Sequence, residues 1–175
     1  RDWRIRRALP RLAKADRVLD VGCGDGEICR RLAKRGVSGV GIDPRLAKRP
    51  DVAGFDFIAG NFPDASPEGE PFDAITMLAV LEHVPAGQKP IWVEACHARL
   101  VKGGVVVLTV PSPRVDSILA VLGFFRLVDG MALEEHHGFD PNEVGPLFEA
   151  AGFQRVIHKT FQFGLNNLFV FSKTT

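Results

Sequence analysis

The run Asp20-Val21-Gly22-Cys23-Gly24-Asp25-Gly26 constrains this chain more than any other segment. It is entered from the apolar pair Val18-Leu19 and left through Glu27-Ile28-Cys29, so it reads as a strand that ends in glycines and passes into a helix. Glycine tolerates positive φ and carries no Cβ, so the bend is expected to bring bare backbone N–H groups close to a ligand. A dinucleotide fingerprint would read G-x-G-x-x-G and seat a pyrophosphate. Here the third glycine comes one place early, and Asp20 stands where a pyrophosphate would meet repulsion. A ligand with a cationic end suits such a bend better than a diphosphate does.

A second carboxylate supports this. Val37 to Pro44 (Val-Ser-Gly-Val-Gly-Ile-Asp-Pro) reads as a short buried strand that delivers Asp43 at its carboxyl end. Between the two strands, Glu27 to Arg35 has helical spacing, with Ile28, Leu32 and Ala33 apolar and Arg30, Arg31 and Lys34 polar. The unit is strand–helix–strand. An acid about 20 residues past the first glycine, at the tip of the second strand, is placed to accept two hydrogen bonds from a ribose diol. The alternative for Asp43 is a helix N-cap ahead of Pro44. For Asp20 the alternative is a carboxylate that bonds nearby loop groups.

The runs VLDVGCGDGE, GVGID, FDAITMLAVLEHV and LVKGGVVVLTVPSP, in this order and spacing, resemble the class I methyltransferases that use S-adenosylmethionine. The nearest flavour is the branch with quinone-biosynthesis enzymes and other small-molecule methyltransferases. The likeness is tight from Arg17 to Pro113 and looser beyond. It implies a three-layer α/β sandwich, Rossmann-like, around a seven-stranded, mostly parallel sheet of order 3-2-1-4-5-7-6 with strand 7 antiparallel. It also implies S-adenosyl-L-methionine as methyl donor and S-adenosyl-L-homocysteine as product. Asp20, Gly22, Cys23, Gly24, Asp25 and Gly26 would line the methionine end, and Asp43 with Pro44 the ribose. Where the family often has an adenine-binding Asp, this chain has Asn61, between Gly60 and Phe62. The Asn61 oxygen would accept the adenine amino group and Phe62 would cover the ring face; a plain Gly-Asn turn is the alternative.

The segment Leu78-Ala79-Val80-Leu81-Glu82-His83-Val84 corresponds to the place where donor and acceptor meet in the family. His83 is the candidate general base, with Glu82 beside it, and Leu78 and Ala79 floor the site; a purely structural histidine is the alternative. Positioning alone carries much of the barrier when the leaving group is a sulfonium, so methyl transfer does not require a base. An Asn-Pro-Pro-aromatic motif, usual for amino-group methylation of DNA or protein glutamine, is absent here, which favours a small-molecule acceptor.

The rest of the chain bounds the function more loosely. At 175 residues, 46% hydrophobic and 25% charged, it reads as one domain, 1–175, long enough to need no staple. A net charge of +1 gives no general case for nucleic acid. Cys23, Cys29 and Cys96 form no C-x-x-C pair and suit reduced thiols in a cytoplasmic protein. No signal segment or spanning apolar run is visible. Adjacent Glu134-Glu135-His136-His137 rarely converge on one ion, so no metal is expected there; a place in acceptor binding or a solvated loop are the readings.

Ser117 to Val128 is apolar almost all round, which marks either a core helix or an acceptor-binding lid over 113–140. A lid of that kind implies a small or lipid-linked, partly apolar acceptor. Arg1 to Arg17 carries seven Arg or Lys against two Asp. Its cations are a solvated helix face, or Arg4 reaches the donor's carboxylate, or the segment makes peripheral contact with an anionic membrane. Two other functions stay open: a binding module that has lost its chemistry, and a nicotinamide-dependent oxidoreductase, against which the glycine spacing and Asp20 argue. Further along, Pro90–Leu100 reads as a helix closed by Lys102-Gly103-Gly104, and Gly104–Val110 as a buried strand. Asn142–Ala151 reads as the last helix, and Phe153–Thr160 and Leu168–Ser172 as a hairpin joined through Gly164-Leu165-Asn166-Asn167.

Overall fold

β1 (Arg17–Val21) is the strand on which the sheet turns. Val18 and Leu19 are fully buried on its opposite faces, as expected for a parallel strand covered on both sides. The computed structural model describes residues 2–112 and 140–175. Within them, β1 pairs in parallel with β2 (Ser38–Asp43) on one side and β4 (Phe72–Leu78) on the other. β3 (Phe55–Ala59) extends the β2 edge, and β5 (Leu100–Pro111) extends the β4 edge. β7 (Asn166–Lys173) runs antiparallel to β5, with β6 (Phe153–Phe161) outermost, giving the order β3-β2-β1-β4-β5-β7-β6. This is the expected sheet, strand 7 included. The direction of growth reverses between β1 and β4, the place where open α/β sheets bind ligands at their strand ends.

Helices cover both faces. α1 (Asp2–Ala8) and α2 (Glu27–Ala33) bury Ile5, Ala8, Ile28, Cys29 and Leu32 against one face, together with Val18, Ala74 and Val107. α3 (Lys89–Arg99) and α4 (Val144–Ala150) bury Val93, Cys96, Val144 and Phe148 on the other. Phe148 stacks on Phe171 with centroids 4.3 Å apart and planes 10° apart, so truncating either ring costs about 3–5 kcal/mol. Pro10 divides the N-terminal stretch as expected: α1 stops at Ala8 and a 3-10 turn, Leu9–Leu12, carries the chain to β1.

Three boundaries differ from expectation. Lys102-Gly103-Gly104 does not close α3; the chain becomes extended at Leu100, and Gly103 (φ 77°) sits in a bulge inside β5. The register shows it, since Phe72 pairs with Leu100 but Ala74 with Val105. The C-terminal carbonyls of α3 are capped instead by Lys173, whose Nζ donates to the oxygens of His97 (2.8 Å) and Leu100 (2.9 Å). Asn166 and Asn167 lie in β7 rather than in the turn, which spans residues 162–165. The helix expected from Asn142 begins as a 3-10 turn, Pro141–Glu143, capped by Asp140, and becomes α4 at Val144. Except for Asp140, the expected lid at 113–140 lies outside the described residues, and so does Glu134 to His137.

Candidate active site

Asp20, one residue before the end of β1, is almost wholly buried, 2% exposed, in register with Thr76 of β4. The Thr76 hydroxyl donates to Asp20 Oδ1 at 2.6 Å, and the Cys29 thiol lies 3.5 Å from Oδ2. A buried carboxylate needs such donors to remain in place. Asp20 still lines the cleft at the switch point, whose walls are Arg4, Ile5, Asp20, Gly22, Cys23, Ile28 and Leu78. A fixed anion and a fixed cation therefore share one cleft.

The glycine bend works differently from expectation. Its amides are not bare. The N–H groups of Gly22 and Cys23 donate to the Ile42 carbonyl at 2.8 and 3.2 Å, and Gly26 donates to Cys23 at 3.0 Å. Gly24 N–H donates to Asp43 Oδ2 at 2.9 Å, while Arg45 N–H takes Oδ1 at 2.8 Å. With those donors satisfied internally, the bend and the tip of β2 offer acceptors, which fits hydroxyl and ammonium groups better than phosphate. Gly22 (φ 75°) is required for space as well, because a Cβ there would lie 2.4 Å from Val80 Cγ2. Cys23 points into the core, and burial, helped by Asp20 and Asp43, pushes its thiol up to about 12. It is no nucleophile.

The β3 tip is mixed. Gly60 N–H donates to the Asp43 carbonyl at 3.3 Å, and a Cβ on Gly60 would meet Ala65 at 2.6 Å. Asn61 is exposed beside it, and so is Pro44 at the β2 tip. The Phe62 ring departs from the expected ligand-covering position. It is 3% exposed and packs edge-on against Trp92, centroids 5.1 Å apart, so the core takes its surface. Asp25 is exposed, and Oδ1 accepts from Glu27 N–H at the start of α2.

Leu78, the last residue of β4, lines the cleft, and Ala79 after it adopts positive φ (61°), its N–H on the Thr109 carbonyl at 2.9 Å. The 3-10 turn Leu81–His83 then buries Glu82 and leaves His83 exposed. Glu82 Oε2 is buried without a hydrogen-bond partner among the described residues. Desolvation pushes its carboxyl up to about 7, against a backbone hydrogen bond and the fields of Arg4 and Lys89. Glu82 is thus a buried carboxyl with a raised proton affinity beside the cleft.

Thr76 and Asn166 belong to the site, and the sequence does not place them there. Thr76 lies two residues before Leu78 on the same face of β4, but only the strand order puts it beside Asp20. Arg4 Nε donates to Asn166 Oδ1 at 3.3 Å, a pair 162 residues apart. Among the described residues no group of three or more His, Cys, Asp or Glu is gathered as a metal would need, and no helix is long and apolar enough to cross a membrane.

Comparison with known proteins agrees with this arrangement. A family model described as a methyltransferase domain matches residues 2–159. The ubiquinone biosynthesis O-methyltransferase of Psychrobacter arcticus is 31% identical over 155 residues, covering 79% of this chain and 59% of that protein. The enzyme of the same name from Chelativorans is 31% identical over 126 residues, covering 65% and 49%. This chain thus spans about half to three-fifths of the length of those relatives. Among solved structures, a SAM-dependent methyltransferase from Archaeoglobus fulgidus superposes with a TM-score of 0.77 at 16% identity, over 98% of this chain and 92% of the other. The 1,6-didemethyltoxoflavin-N1-methyltransferase of Burkholderia thailandensis, with S-adenosylhomocysteine bound, gives 0.71 at 20% identity, over 98% and 77%. Those two likenesses speak for the fold, and the match over residues 2–159 decides the lineage: the chain belongs to the methyltransferase domain family.

Proposed function

We propose that residues 1–175 act as one S-adenosylmethionine-dependent methyltransferase domain, with 113–140 as a lid over a small or lipid-linked, partly apolar acceptor. The observation that carries this is the cleft in which Arg4 and Asp20 stand together beside Gly22 and Leu78. Opposite charges suit the amino-acid end of the donor, whose carboxylate faces Arg4 and whose cationic groups gain from Asp20. Asp43 keeps a free lone pair on each oxygen after serving Gly24 and Arg45, and so accepts from the ribose hydroxyls. Gly60 and Asn61 border the adenine.

When bound, the donor supplies a sulfonium methyl group whose sulfur is already a good leaving group. The protein's share is alignment and control of one proton. Glu82, poised at about 7, takes that proton from a hydroxyl or amine acceptor at its unpartnered Oε2, and exposed His83 passes it to solvent. Ubiquinone-pathway relatives support an acceptor with an aromatic head and an apolar tail. Exposed Trp3, next to Arg6 and Arg7 on α1, supports peripheral contact with an anionic membrane that presents such an acceptor. The domain works in the cytoplasm and takes no nucleic acid.

Titrating the protein with S-adenosylhomocysteine and, separately, with NADH tests the donor class. Binding of the first alone is expected; binding of NADH alone makes the chain an oxidoreductase-type module. Sedimentation with anionic vesicles tests the membrane contact, and absence of co-sedimentation at low salt ends it.

A further inference from the structure

Arg4 is held from the far end of the chain. Its Nε donates to Asn166 Oδ1 at 3.3 Å, and Asn166 Nδ2 donates to Gln162 Oε1 at 2.8 Å. Arginine has no acceptor, so it fixes the sense of this relay: the Asn166 oxygen must face Arg4, and its amide must find an acceptor elsewhere. Gln162 provides that acceptor from the β6–β7 turn, at φ 51°. Asn166 is 7% exposed, the first residue of β7 and in register with Pro111 at the end of β5. Among the described residues the two terminal nitrogens of Arg4 make no hydrogen bond, while Arg4 itself lines the cleft.

We propose that Asn166, braced by Gln162, is a positioning residue that fixes Arg4 to receive the carboxylate of a nucleoside bearing an amino-acid tail. The proposal rests on the donor assignment made above. A ligand carboxylate entering this cleft meets Asp20, and Glu82 lies within the field of Arg4. Arg4 offsets that repulsion only where its guanidinium is correctly placed, and a free arginine side chain loses rotamer entropy on being fixed. A neutral amide orders the side chain without cancelling its charge. An aspartate at 166 would order it equally well and neutralise it.

The test uses two ligands, S-adenosylhomocysteine and 5′-methylthioadenosine, which share adenosine and sulfur but differ in the amino-acid tail. Calorimetry is run on wild type, Asn166→Leu, Arg4→Gln and the double variant. Loss of a charge-assisted contact lowers affinity by about tenfold, so Asn166→Leu is expected to weaken S-adenosylhomocysteine by that factor. It should leave methylthioadenosine within about twofold, and the double variant should be no weaker than Arg4→Gln, because one residue acts through the other. Asn166→Asp gives a second measure, with homocysteine-tail selectivity lost although Arg4 is held.

Equal weakening of both ligands by Asn166→Leu, or losses that add in the double variant, overturns the positioning role and leaves the donor assignment standing. If Arg4→Gln changes neither ligand, Arg4 is not the carboxylate receptor and the proposal falls. If wild type binds neither ligand, the donor assignment falls and takes the proposal with it.

Discussion

Gly24 N–H donates to Asp43 Oδ2 at 2.9 Å, tying the glycine bend after β1 to the carboxylate at the tip of β2. Asp43 is thus both a brace for the bend and the candidate ribose acceptor. The two duties separate on substitution. Asp43→Asn retains a carbonyl oxygen for Gly24, but its NH2 replaces the oxygen that accepts from Arg45 N–H and turns a donor toward the diol. It should fold with a modestly lowered melting temperature, from the lost Arg45 hydrogen bond, and lose about tenfold or more in affinity for S-adenosylhomocysteine, a loss of 1.5–3 kcal/mol for a charged hydrogen bond. Asp43→Ala should lose both, which thermal melts and calorimetry together resolve.

Gly22 packs under Val80, and no side chain fits between them. Gly22→Ala meets two obstacles, positive φ and a Cβ 2.4 Å from Val80 Cγ2. The backbone strain alone costs about 1–3 kcal/mol. Adding Val80→Ala should recover the steric part of the lost stability and leave the strain, a partial rescue readable by urea unfolding.

Thr76 supplies the short hydrogen bond to buried Asp20. Thr76→Val keeps the shape and removes the donor, leaving a buried carboxylate under-satisfied at a cost of about 1–3 kcal/mol. Thr76→Ser should restore most of it. Comparison of the two variants by chemical denaturation checks this, since a pure packing effect would rank them in the opposite order.

Glu82 gives a pH signature. Its folded carboxyl sits at about 7, above its ordinary 4.5, because burial disfavours the charge. The folded state therefore holds its proton more tightly, and stability falls as pH rises from 4.5 through 7. Glu82→Gln removes that loss: it should be more stable than wild type at pH 8 by roughly 2–3 kcal/mol, with the difference vanishing near pH 4.5. Activity should move the other way, falling about a hundredfold, with the wild-type rate rising through pH 7. A variant that keeps full activity removes Glu82 from proton transfer.

Residues whose roles are local are legible in the sequence, and those whose roles are set by distant partners are not. The ends of β1, the bend and the delivery of Asp43 are written in adjacent residues and appear where expected. Gly103 was legible as a stop signal but not as a bulge, because only the β4 partner register distinguishes the two. Asn166 and Asn167 carry turn chemistry in isolation. They are drawn into β7 because Arg4, Gln162 and His158 satisfy their side chains there, tertiary partners overriding local preference. Phe62 reads in the sequence either as a cover for the adenine or as part of a plain Gly-Asn turn, and in the fold Trp92 across the core takes its edge. The bend's amides were expected to be free, and their partners, Ile42 and Asp43, come from the neighbouring strand.

The most direct measurement is calorimetry of wild type and Asp43→Asn with S-adenosylhomocysteine, with NADH as control. Saturable binding of the sulfur nucleoside alone, weakened at least tenfold by the substitution, is the outcome expected from an acceptor-lined cleft. Failure to bind it at millimolar concentration, or equal binding by both proteins, contradicts the assignment.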